Sequence, residues 1–149
     1  MTAYATVVVG TDGSDSSFRA VDRAAAVSAD SGAVLVIVCA YYPASQSDVE
    51  KAQDVLRDEA YQVVGSAPAG DTLQSARDRA VKAGAANVET VAVVGEPVDS
   101  LRKVVKERSA DLLVVGNRGL NTLAGRILGS VPSEAARKSG VDVLIVHTT

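Results

Sequence analysis

The chain has 149 residues, a net charge of −3 at pH 7, 47% hydrophobic and only 3% aromatic residues, and one cysteine, Cys39. A chain of this length suits one domain, spanning 1–149, that buries roughly 70% of its unfolded surface in a core that must be aliphatic. The acidic balance and the lack of a basic run argue against a nucleic-acid binder. A lone cysteine excludes an internal disulfide and leaves no basis for a thiolate metal cluster.

No basic n-region precedes the first apolar run, and no run approaches the roughly 20 residues of a membrane span, so a cytoplasmic location with no membrane partner is expected. Apolar runs recur at Thr6–Val9, Ala33–Ala40, Val88–Val94, Leu112–Val115 and Val141–Val146. Each is near-continuous and rich in β-branched residues, as expected of strands buried on both faces of a parallel sheet. Amphipathic segments lie between them.

The first run ends at Gly10-Thr11-Asp12-Gly13. Ser14 or Asp15 can cap a helix from Ser16 to about Ala29, stopped by Ser31-Gly32. The second run ends at Cys39-Ala40-Tyr41-Tyr42-Pro43, and helices are expected over about 48–64 and 69–83, separated by a break at Gly65–Pro68. Pro97 suits the first turn of a helix reaching about Arg108. A last helix is expected over about 131–138, before Gly140 and the fifth strand. This alternation predicts an α/β fold: a three-layer, doubly wound, five-stranded parallel sheet of Rossmann-like type.

The fourth run leads into DLLVVGNRGLNTLAGRILGS, residues 111–130, with glycines spaced G-x2-G-x9-G-S at Gly116, Gly119 and Gly129-Ser130. Glycine lets the backbone N–H approach a ligand closely. Ser130 suits a helix N-cap, and the unpaired N–H groups of a helix start attract anions. The spacing therefore predicts a phosphate-holding loop. If the first and fourth strands are neighbours, Asp12 faces that loop across one cleft, a carboxylate for a ribose hydroxyl or base opposite amides for phosphate. A side chain placed at Gly116 is expected to intrude on this cleft. Turn chemistry alone also explains each glycine, and Asp12 can simply close a turn.

The combined pattern resembles the ATP-binding signature of the universal stress protein family: a TDGS segment after the first strand, the glycine loop and an apolar last strand. The resemblance covers the whole chain. It implies an adenine nucleotide-hydrolase-like sheet, binding of ATP or cAMP (with Mg2+ accompanying ATP), a homodimer through the Val141–Val146 edge strand, and a regulatory or stress-signalling role. By position, Gly10, Thr11 and Asp12 would line the adenosine, and the backbone at Cys39 and Ala40 would meet the adenine edge. Val115 and Gly116 would approach the ribose and α-phosphate, while Gly119, Gly129, Ser130 and Val131 would hold the phosphates. Arg118 and Arg126 flank the loop within reach of phosphate. Pro132 departs from an all-donor turn, because it has no N–H to offer.

The competing reading is a weak ATP-hydrolysing or phosphotransfer enzyme of the same fold. No Walker G-x4-GK[ST] loop is present, and no G-x-G-x-x-G follows the first strand. His147, the only histidine, has no evident acid or nucleophile partner in the sequence. Tyr41 and Tyr42 are expected to pack rather than to stack on a base.

Overall fold

A computed structural model describes residues 2–43, 65–117, Ala135, Arg137 and 139–148. The elements in chain order are β1 (Thr6–Gly10), α1 (Asp15–Ser31), β2 (Val34–Tyr41), α2 (Ser66–Lys82), β3 (Asn87–Val94), α3 (Pro97–Glu107), β4 (Leu112–Gly116) and β5 (Asp142–Val146). All strand pairs are parallel, in the order β3-β2-β1-β4-β5. The chain moves outward from β1 to β3, then returns to the other side of β1 for β4 and β5. The order therefore reverses between β1 and β4, where ligands of open α/β sheets sit beyond the strands' carboxyl ends.

Alternate strand residues feed two cores. Val7, Val9, Leu35, Ile37, Cys39, Leu112 and Val114 pack with α1 and α2 on one face. Val8, Val36, Val38, Leu113 and Val115 pack with Leu101, Val104 and Val105 of α3 and with Ala135 on the other. The central strands β1, β2 and β4 are buried on both sides, which explains their continuous apolar sequence. The outer strands behave differently. β3 alternates between exposed and half-buried residues, and β5 leaves Ile145 exposed; among the described strands each has a neighbour on one side only.

Local signals set most element ends. Ser14 caps α1 by accepting from Ser17 N, and Gly32 closes the helix in the left-handed conformation at φ 67°. Glu96 caps α3 through Val98 N and Asp99 N, with Pro97 opening the helix. α2 begins at Ser66, three residues before the expected Ala69. Pro68 lies in its first turn, where a backbone N–H would lack an intrahelical acceptor, so the predicted break is a helix start. The helix expected over 48–64 and all of 131–138 but Ala135 and Arg137 lie outside the described residues. Among the described residues no helix is long and apolar enough to cross a membrane.

Candidate functional site

The site is built from the turn leaving β1, the first turn of α1 and the exit of β4. Val9 is in register with Val114, and Gly10 with Val38, so the β1 turn emerges between the ends of β2 and β4. Thr11 N donates to Val38 O at 2.9 Å. Gly13 then turns the chain at φ 86°, a conformation that favours glycine.

A directed chain of hydrogen bonds shapes this turn. Ser17 Oγ donates to Ser14 O at 2.9 Å, which leaves it to accept from Thr11 Oγ1 at 2.8 Å and from Asp12 N at 3.3 Å. Thr11 Oγ1 in turn accepts Gly13 N at 3.2 Å. The side chain of Thr11, 7% exposed, therefore organises the turn.

Asp12 Oδ1 accepts Ser14 N at 2.9 Å, the turn-closing role given above as the alternative to ligand contact. Its Oδ2 has no hydrogen bond to a described residue. Cys39 is fully buried among the apolar residues of the α1 and α2 face. Burial first, and the charge of Asp12 second, push its thiol up to about 11. Asp12 is thus near enough to the end of β2 for its charge to act on Cys39. Tyr41 packs against the same core, consistent with the packing role expected of it. Burial, then the charge of Glu96, raise the Tyr42 hydroxyl above its ordinary value.

The space around two glycines at the site differs. A Cβ on Gly10 would stand 3.1 Å from Leu101 Cδ2, so the end of that leucine on α3 would have to shift by a few tenths of an ångström. A Cβ on Gly116 would meet Thr148 Cγ2 at 3.5 Å, with Ser16 Oγ and O at 3.8 Å. Ser16 and Thr148 are 5% and 3% exposed. A Cβ at Gly116 would thus make ordinary contacts with Ser16 and Thr148.

Gly10, Thr11, Asp12, Cys39, Ala40, Val115 and Gly116 all lie along neighbouring strand ends of one sheet edge. Arg118, Gly119, Arg126, Gly129, Ser130, Val131 and Pro132 fall outside the described residues. Sequence reasoning missed Asn117, Ser16 and Thr148. Asn117 Oδ1 accepts both Thr148 N at 2.9 Å and Thr148 Oγ1 at 3.0 Å, and its amide nitrogen meets His147 Nδ1 at 3.1 Å. The available signal was a short polar residue two places after the end of each of two apolar runs, but Asn117 occupies a variable place in the glycine pattern. Among the described residues no group of three or more His, Cys, Asp or Glu side chains is arranged to hold a metal.

The family model described as "Universal stress protein family" matches residues 3–147. The chain belongs to the universal stress protein family. As a family member it is 58% identical to universal stress protein Rv1636 of Mycobacterium tuberculosis, over the full length of both chains. It is also similar to a universal stress protein crystallised in complex with cAMP, with 49% identity, 99% of this chain and 100% of that chain covered, and a TM-score of 0.76. UspA from Lactobacillus plantarum shares the fold at 19% identity, covering 97% and 98% of the two chains with a TM-score of 0.74.

Proposed function

We propose that this universal stress protein binds an adenine nucleotide in the crevice between β1 and β4 and serves as a regulatory, stress-signalling module. One observation carries the reading: β1 and β4 end side by side at the point where strand order reverses, with a capped helix start and Asp12 at the same place. The similar protein in complex with cAMP supports the choice of base and of a single phosphate.

On this reading Gly10, Thr11 and Asp12 line the adenosine, with Asp12 Oδ2 accepting from a ribose hydroxyl or the base. The backbone at Cys39 and Ala40 meets the adenine edge, and Val115 and Gly116 approach the ribose. Gly119, Gly129, Ser130 and Val131, helped by Arg118, hold the phosphate. Pro132 withdraws one donor from that turn, worth about 0.5–1.5 kcal/mol of hydrogen bonding, which favours cAMP over ATP. ATP, where it binds, brings Mg2+. The protein acts in the cytoplasm as a homodimer paired through β5, an apolar edge strand of the kind that invites pairing.

Mass spectrometry of nucleotide released from the purified protein, followed by calorimetry with cAMP and ATP, tests the proposal. Binding of cAMP that weakens about tenfold in Asp12→Ala, as loss of a charge-assisted hydrogen bond would produce, is the expected result. Binding of neither nucleotide would overturn it. Steady-state ATP turnover abolished by Asp12→Ala would replace a regulatory module with an enzyme. A monomer at micromolar concentration in analytical ultracentrifugation would remove the dimer.

A further inference from the structure

Thr148 is 3% exposed although it lies beyond the last strand. Buried polar groups need partners, and those of Thr148 come from two different elements. Its N–H and its hydroxyl both donate to Asn117 Oδ1, at 2.9 and 3.0 Å, using both lone pairs of one oxygen. With its only hydroxyl proton given to Asn117, Thr148 Oγ1 must accept from Ser16 Oγ in the first turn of α1. Arg19, also on α1, donates to Thr148 O. Asn117 passes the chain on to His147 Nδ1. The order is Ser16 to Thr148 to Asn117, each bond polarising the next.

Gly116 adjoins the same residue: a Cβ there would stand 3.5 Å from the methyl group of Thr148, in ordinary contact. The neighbouring hydroxyl, Ser17 Oγ, holds the β1 turn through Thr11 and Asp12. The first turn of α1 therefore ties together both sides of the candidate cleft, one through Ser17 and the other through Ser16 and Thr148.

We propose that Asn117 and Thr148 are positioning residues for the nucleotide: the segment after β5 latches the exit of β4, at Gly116 and Asn117, onto α1, and so fixes where that strand end stands beside the β1 turn. The proposal rests on the nucleotide reading above, because its consequence is affinity. Neither side chain needs to touch the ligand.

The test compares Thr148→Val, Thr148→Ser, Ser16→Ala, Asn117→Ala and the Asn117→Ala/Thr148→Val double variant in the full chain. Calorimetry with cAMP is read beside hydrogen exchange of the Gly116, Asn117 and Thr148 amides in nucleotide-free protein. Thr148→Val, which keeps the shape and loses the hydroxyl, should weaken cAMP binding about tenfold and speed exchange at Gly116 and Asn117. Thr148→Ser should restore both. The double variant should bind no more weakly than its weaker parent, since the pair acts as one unit.

Wild-type affinity in Thr148→Val, or additive losses in the double variant, would overturn the latch. So would unchanged exchange at Gly116 and Asn117, whether or not nucleotide binds. If wild type binds neither cAMP nor ATP while Thr148→Val still loosens those amides, the nucleotide reading fails and the latch alone stands. That outcome would remove the role of the latch in positioning a ligand.

Discussion

Asp111 and Thr6 are joined twice: Thr6 N donates to Asp111 Oδ1 at 3.1 Å, and Asp111 N donates to Thr6 O at 3.1 Å. Ala5 N adds a bond to Asp111 Oδ2 at 2.9 Å. The pair fastens the starts of β1 and β4, the two strands whose far ends frame the candidate cleft. Burial pushes the Asp111 carboxyl up, but the N–H groups of Ala5, Thr6 and Asp111 itself outweigh it and hold the group below its ordinary 3.8.

A carboxyl held lower in the folded state favours folding above its ordinary value, and that contribution is lost as pH falls through the folded value. Asp111→Asn should therefore lower the melting midpoint at pH 7 by about 2–4 °C, the shift from losing ~1 kcal/mol in a chain of this size. The gap from wild type should narrow below pH ~4. A gap constant from pH 7 to pH 3, in thermal scans by circular dichroism, would refute this account.

Gly10→Ala would set a Cβ 3.1 Å from Leu101 Cδ2, so the end of a flexible side chain must give way. A cost of ~1–3 kcal/mol is expected from overpacking. Combining it with Leu101→Ala should cost less than the sum of the two single changes, because the added methyl group then enters space the leucine vacates. Urea unfolding of the four-member cycle measures the coupling, and strict additivity would refute the contact.

Gly116→Ala should be tolerated, since its Cβ makes only ordinary contacts, the nearest at 3.5 Å. Gly116→Glu should destabilise the fold by several kcal/mol, as a charged side chain is driven among the buried Ser16 and Thr148. Calorimetric unfolding decides the matter. A Gly116→Glu protein as stable as wild type would mean that the side chain finds open space.

With the Cys39 thiol pushed up to about 11, roughly one molecule in a thousand carries a thiolate at pH 8. Native protein should resist iodoacetamide at that pH, while protein in urea reacts at the rate of a free thiol. Because burial outweighs the charge of Asp12, Asp12→Asn should raise the native rate less than tenfold. Rapid native modification would contradict the buried placement.

The residues by themselves determined the architecture and marked out a candidate site. Continuous β-branched runs such as Val7-Val8-Val9 specify strands covered on both faces, while Ser14, Gly32 and Pro97 mark helix ends through local backbone chemistry. The G-x2-G-x9-G-S spacing pointed to β4 as the strand that carries the loop. These signals are readable because each depends on neighbours within a few positions.

Tertiary structure alone decided the rest. That β1 lies beside β4 depends on the pairing of Val9 with Val114, more than one hundred residues apart, which no local periodicity encodes. Gly10 is set against Leu101, and Gly116 against Thr148, through the approach of distant elements. Asn117 gained its partners only when the segment after β5 came to rest on α1. A hydrogen bond across that distance needs the folded chain to bring its two ends together, so its partners leave no mark on either stretch read alone.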